Sequence, residues 1–305
     1  MRLGSQTTRS LAGGSVLGRG EPLRRKGARA IGLTTCGRAG YHMHIVVCIK
    51  QVPDSKNVRI DPETNTLVRQ GVESIVNPHD WYAVEAALRF RDATGGKVTA
   101  VTMGPPQAEE ALRDVLALGV DEAVLLTDRA FAGSDTWATS LTLARAVAKL
   151  APVDLVICGK QAIDGDTAQV GPEVAAHLDL PYVTYVRRLE LVEGSRLRAE
   201  RITDLGYEVV ETPLPALVTV VREIGDPRMP GLKHKMRSRK QQIPVINAAT
   251  LGLKAEEVGL QGSYTKVVRV FAPPPRTNRE MLDGSVEHQV EALLKRLREA
   301  RVPGL

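Results

Sequence analysis

The chain has 305 residues, 43% of them hydrophobic, with 41 basic and 35 acidic side chains and a formal net charge of +6. That length allows one large α/β domain with extensions, or two modest domains, and either can bury a core. The positive charge does not argue for nucleic-acid binding, because residues 1–42 hold eight basic groups against Glu21 alone, whereas residues 43–305 hold 33 basic and 34 acidic groups.

Cys36, Cys48 and Cys158 are isolated, and the six histidines are scattered, so neither a disulfide framework nor a metal site is expected. No apolar run approaches the ~20 residues of a membrane-spanning helix. Residues 1–42 are rich in Gly and Arg, lack helical periodicity and read as a disordered tail. Two origins fit that composition. A transit peptide would direct the protein to the mitochondrial matrix, whereas a start upstream of the true one, with Met43 standing just before the first apolar run, leaves it cytoplasmic, the favoured reading.

His44 to Lys50 is a short β-branched apolar run, expected as a buried strand. Gln51 to Gly71, with the turn cluster Asp61 to Asn65, reads as a long excursion, and long excursions within a domain are usually functional. Asn77-Pro78-His79-Asp80 opens a helix: Asn77 is placed to cap, Pro78 suits the first helical position, and Asp80 lies in the first turn. Strands over 97–103, 122–127 and 153–158 alternate with helices over 108–118, from 135 or 136 to 150, and around Val170, Val174 and Leu178. This alternation predicts a parallel sheet with helices on both faces, with ligands outside the carboxyl ends of its strands at Lys50, Met103, Thr127 and Gly159. From Tyr182 the pattern changes to three alternating runs, an antiparallel meander added to the sheet, followed by a core strand over 214–220.

The turn from Gly159 to Pro172 carries most of the chemistry. It is not a P-loop, since Gln161 follows Lys160 and no upstream glycine is present. It does offer backbone N–H groups near Ala168 to Gly171 at a helix start, where phosphate is stabilised by free donors and the helix dipole. Asp164 and Asp166 would repel a phosphate beside them, so they suit ribose hydroxyls or an adenine amino group, unless both only cap the helix. Thr167 and Gln169 are neutral donors or ordinary surface. His79 is either a polar site residue or structural, and His177 is expected on a helix surface. No catalytic triad or carboxylate pair is evident. Nucleotide binding without a hydrolytic apparatus follows, and a redox cofactor would fit it.

Residues 225–240 form a Pro/Gly loop and a dense basic patch, read either as a solvated charged face or as a docking segment with Leu232 as apolar anchor. Possible strands lie at 243–246 and 266–271, with a proline spacer over 273–275. A helix over 287–301, with Val290, Leu293, Leu294 and Leu297 on one side, has no obvious core of its own to join and is expected to pack on another chain.

From Met43 to about Arg276 the chain resembles the beta subunit of electron transfer flavoprotein, the FixA type included. The motifs are Val47 to Asp54, Val76 to Asp80 with Ala83 to Ala86, Thr102 to Pro105, Leu118 to Ala123, and Gly159 to Asp164. The family's signature region is similar over 199–219, with Arg201, Asp204, Gly206, Glu208 and Pro215 in place and Leu205 departing from the usual Gly or acidic residue.

The resemblance implies a Rossmann-like fold of the adenine nucleotide alpha hydrolase type, with an antiparallel hairpin addition and a C-terminal arm. It divides the chain into a tail (1–42), a nucleotide-binding α/β domain (43–224), a partner recognition loop and basic segment (225–242) and an arm on the alpha subunit (243–305). It implies a heterodimer whose alpha subunit holds the electron-transferring FAD. The beta site would use Cys48, Asn77, Pro78, His79, Asp80, Met103, Asp164 and the run Asp166, Thr167, Ala168, Gln169, Val170, Gly171 and Pro172. Arg228, Leu232 and Met236 would meet partners such as acyl-CoA or other dehydrogenases, a quinone oxidoreductase, and ferredoxin or flavodoxin. Ordinary members hold AMP at the beta site; bifurcating members hold a second FAD that takes hydride from NADH. Residues 165–172 resemble the bifurcating version, with Gly165, Ala168 and Gly171 small enough to admit a pyrophosphate. A reading of another class is a stand-alone adenine-nucleotide-binding or hydrolysing protein.

Overall fold

Strand β1 (Met43–Cys48) is buried on both sides: Ile45 and Val47 face one apolar cluster, Val46 and Cys48 the other. That is why the run reads as continuously apolar rather than alternating. The computed structural model describes residues 42–54, 59–60, 67–68, 73–192, 195–268 and 279–302. The expected tail over 1–41, the turn at 61–65, the proline spacer and residues 269–271 lie outside them.

After β1, the excursion contains β2 (Gln51–Pro53), β3 (Arg59–Ile60), β4 (Leu67–Val68) and β5 (Ser74–Val76). β2 pairs antiparallel with β5, and β3 with β4, so the excursion leaves and returns on its own pairing. Helix α1 (Pro78–Thr94) follows, then β6 (Gly96–Met103), α2 (Glu109–Leu118), β7 (Glu122–Leu126), α3 (Thr136–Lys149), β8 (Leu155–Gly159) and α4 (Val170–Leu178). The Asp135 carboxylate caps α3 by accepting from Ala138 N–H at 3.0 Å. The meander is β9 (Tyr182–Val192), β10 (Arg196–Thr203) and β11 (Gly206–Pro213), and β12 (Ala216–Val220) returns to the core. Helix α5 (Leu232–Lys240), β13 (Val245–Ile246), α6 (Gly259–Gly262) and α7 (Val286–Glu299) complete the elements.

Nine strands form one sheet in the order β11-β10-β9-β12-β8-β1-β6-β7-β13. The pairs from β9 to β13 are parallel, and only β9 with β10 and β10 with β11 are antiparallel. Helices α1 and α2 cover one face, while α3 and α4 cover the other. The α/β class and the hairpin addition are as expected. From β1 the chain builds outward through β6 and β7, then returns to set β8 on the opposite side of β1. The order therefore reverses between β1 and β8, the kind of switch point at which open α/β sheets form a ligand crevice at their carboxyl ends.

Three expectations change. Leu232 begins α5 rather than sitting in a loop, because residues 232–240 pack on α2. Lys266 to Val268 has no regular structure, so the expected strand is absent from its described part. His177 is half-buried rather than a surface residue, its ring 4.5 Å from that of Trp137 across the α3–α4 contact. No helix among the described residues is long and apolar enough to cross a membrane.

Candidate functional site

The floor of the crevice is the β1–β8 register, in which Cys48 stands opposite Cys158. Both thiols are buried; hydrogen bonding to Cys48 and burial push the Cys158 thiol well up, which keeps it neutral.

One wall is the start of α1. Asn77 occupies the cap position, but its side chain makes no cap bond. Its amide donates to Asp80 Oδ1 at 2.9 Å and to the Gln161 carbonyl at 2.8 Å, and its Oδ1 accepts from Ile163 N–H at 3.1 Å. The expected capping role is thus replaced by a staple, because the crevice brings the loop after β8 within reach. Asp80, buried, also accepts from Lys50 N–H at 2.7 Å. Burial pushes Asp80 up to about 7, against the pull of the Asn77 amide, the Lys50 N–H and the Lys50 ammonium. Gly159 permits this contact: a Cβ there would collide with the Asp80 carboxylate and lie 2.8 Å from the His79 carbonyl carbon.

The other wall is the loop from Lys160 to Gln169. Lys50 Nζ pairs with Asp164 at 2.7 Å, and Gln161 donates to Asp166, so both acids have partners. Asp166 and Ala168 each have φ of 54°, left-handed geometry that costs a non-glycine residue about 1–2 kcal/mol. This pair of turns leads the chain into α4, where the N–H groups of Thr167 to Gly171 donate to no other described residue. Five adjacent free donors around a helix N-terminus are suited to anionic oxygens. Pro172, in the first turn of α4, takes no donor from that row. Gln169 is engaged sideways, its Oε1 accepting from Thr136 Oγ1 at 3.3 Å.

His79 is half-buried and its Nδ1, though buried, has no partner among the described residues. Burial and then the Lys160 ammonium lower its pKa, against the opposing pull of Asp166, so the ring is neutral near pH 7. The row of N–H groups at the start of α4 suits a ligand with phosphate oxygens. Hydrogen bonds thus join Asn77, Asp80 and residues 159–166, while Gly171 packs α4 against the same floor. Met103 ends the neighbouring β6 and is half-buried, with no hydrogen bond to this loop.

Residues 64–251 match the electron transfer flavoprotein domain. The electron transfer flavoprotein subunit beta of Thermoanaerobacterium thermosaccharolyticum is 49% identical over 85% of this chain and 100% of its own length. The chain belongs to the electron transfer flavoprotein beta-subunit family. Also similar are the caffeyl-CoA reductase-Etf complex subunit CarD of Acetobacterium woodii, 48% identical over 85% of this chain and all of that one, and protein FixA of Azotobacter vinelandii, 46% identical over 84% and 94% respectively. Its function is accordingly electron transfer.

For a member of this family, one physical expectation about the loop needs correcting. Gly171 does not leave room for a ligand: a Cβ there would lie 2.6 Å from Thr219 Cγ2, so its smallness serves the packing of α4 on β12. Gly165 is open, with nothing within 4 Å of a Cβ. Lys50, Gln161 and Thr219 belong to the site but escape a residue-by-residue reading. Lys50 and Gln161 carried a signal as members of the two strand-end motifs; Thr219 carried one only as the last residue of the signature region, and its contact with α4 depends on β12 pairing with β8.

Proposed function

We propose that this chain pairs with an electron transfer flavoprotein alpha subunit and that its own crevice holds FAD. The row of five N–H groups from Thr167 to Gly171 at the start of α4, without partners among the described residues and next to left-handed turns at Asp166 and Ala168, carries this reading. A pyrophosphate gains from several donors at once and from the helix dipole. Asp164 and Asp166, restrained by Lys50 and Gln161, take the nucleoside end, and Cys48, Met103 and Val170 supply apolar wall. FAD bound there would take hydride from NADH and pass its electrons on to two acceptors of different potential.

The similarity to a subunit of a caffeyl-CoA reductase-Etf complex favours an acyl-CoA-linked dehydrogenase or reductase as one electron partner. Quinone oxidoreductase and ferredoxin or flavodoxin are the acceptor classes that the bifurcating reading implies. Docking would use the exposed Leu232 and Met236, and the exposed apolar side of α7 would pack on the alpha subunit.

The decisive experiment is a cofactor count on the copurified heterodimer. Two FAD per heterodimer, with NADH bleaching both flavin bands, is the expected result. One FAD and one AMP would replace the bifurcating reading by that of an ordinary carrier.

A further inference from the structure

The segment that leads to Leu232 is held from both ends by charged groups of this same chain. At its start, Arg228 is turned inward on α1. Its backbone N–H donates to Glu85 Oε2 at 3.0 Å, its Nε to the same oxygen at 2.9 Å and its Nη1 to Asp92 Oδ2 at 2.9 Å. Glu85 also accepts from Arg89 Nε at 2.6 Å, and Arg89 Nη2 donates to the Asp226 carbonyl at 3.1 Å. Gly225, at φ 137°, lets the chain cross the Arg89 guanidinium, where any Cβ would collide. Glu85 is buried, and although burial raises its pKa, the Arg228 and Arg89 bonds together hold it below the usual carboxylate range.

At the far end, the segment is fastened to the C-terminal side of α2. Arg113 Nη1 donates to the Ser238 carbonyl at 2.5 Å, Arg237 Nη2 to the Val120 carbonyl at 2.6 Å and Gln241 Nε2 to the Asp121 carbonyl at 2.8 Å. Between these fastenings stand Met229, Leu232 and Met236, exposed by 86%, 77% and 59%. Leu232 and Met236 are one helical turn apart and share a face.

We infer that Glu85 and Asp92 are positioning residues for partner docking: through Arg228 they hold the Met229–Leu232–Met236 surface in its binding geometry before a partner arrives. Arg228 accordingly works within the chain, and the apolar residues after it make the contact. The inference rests on the docking role proposed for Leu232. The chemistry is one of preorganisation: ordering the segment in advance removes a conformational cost that association would otherwise carry. A buried carboxylate shared by two arginines resists screening by salt better than an exposed pair, so the hold persists at ordinary ionic strength.

The test uses the heterodimer loaded with its flavins and an acyl-CoA dehydrogenase chosen because it reduces the wild-type heterodimer. Glu85→Gln should raise the KM for that dehydrogenase about tenfold, and Asp92→Asn about threefold, with kcat and flavin content unchanged. Hydrogen exchange over residues 225–232 should speed up in both variants. Leu232→Ala separates the two claims. If it raises the KM while Glu85→Gln and Asp92→Asn do not, the positioning role is wrong and docking stands. If Leu232→Ala leaves the KM unchanged, the docking reading itself falls. Loss of flavin or of kcat in both carboxylate variants would mean that the two groups only maintain the fold, because Asp92 is half-exposed and its loss alone should not unfold α1.

Discussion

Asp80 accepts one hydrogen bond on each carboxyl oxygen, from Lys50 N–H and from the Asn77 amide, whereas an Asn in its place would put a donor-only nitrogen against one of these two donors. Its folded pKa of about 7 lies above the ordinary 3.8. The stability this group contributes is therefore complete below pH 3.8 and is lost as pH rises through about 7. Asp80→Asn keeps one acceptor and loses the titration. We expect the variant to be less stable by about 1–3 kcal/mol at pH 5, with the gap narrowing at pH 8 because only the wild type loses stability on the way. Urea midpoints at the two pH values measure this, and a constant gap would count against it. Asn77 and Asp80 could be picked out from the sequence by their place at a helix start. Their bonds could not, since the Gln161 and Ile163 groups that engage Asn77 are 84 and 86 residues away.

Helix α4 shows the same division at the scale of an element. Its stripe of Val170, Val174 and Leu178 was readable from spacing, and so was its start near Pro172. The two left-handed residues before it were not readable, because neither Asp166 nor Ala168 is a glycine. The helix sits against β12 through Gly171, so that Thr219 and the α4 backbone meet closely. Gly171→Ala should move the first turn of α4 away from the sheet, costing about 1–3 kcal/mol by overpacking. It should also lower nucleotide retention in the heterodimer, since the row of N–H groups moves with that turn. Thermal unfolding and a cofactor assay on the same sample check both effects; retention at the wild-type level would separate the row from the ligand. Helix α1 serves two places along its length, with Asp80 at the crevice and Glu85 under the segment proposed for docking.

In the whole molecule, the last buried hydrophobic residue among those described is Val258. Helix α7 has no buried residue, and Val286, Val290 and Leu293 on it are exposed. A chain ending after Val268 should keep the thermal stability of the wild-type beta subunit within about 0.5 kcal/mol, yet copurify with less alpha subunit. Size-exclusion chromatography of the coexpressed pair tests this, and full recovery of the truncated heterodimer would remove α7 from the interface. By itself, the sequence determined the α/β class, the alternation of elements and the family. Those properties depend on local periodicity and on short contiguous motifs. Tertiary structure alone decided that the strand order reverses between β1 and β8, that Asn77 staples a loop, that Gly171 serves packing and that Arg228 turns inward to Glu85. Each of these rests on a contact between residues far apart in the chain, where a side chain's own spacing carries no record of what it will meet.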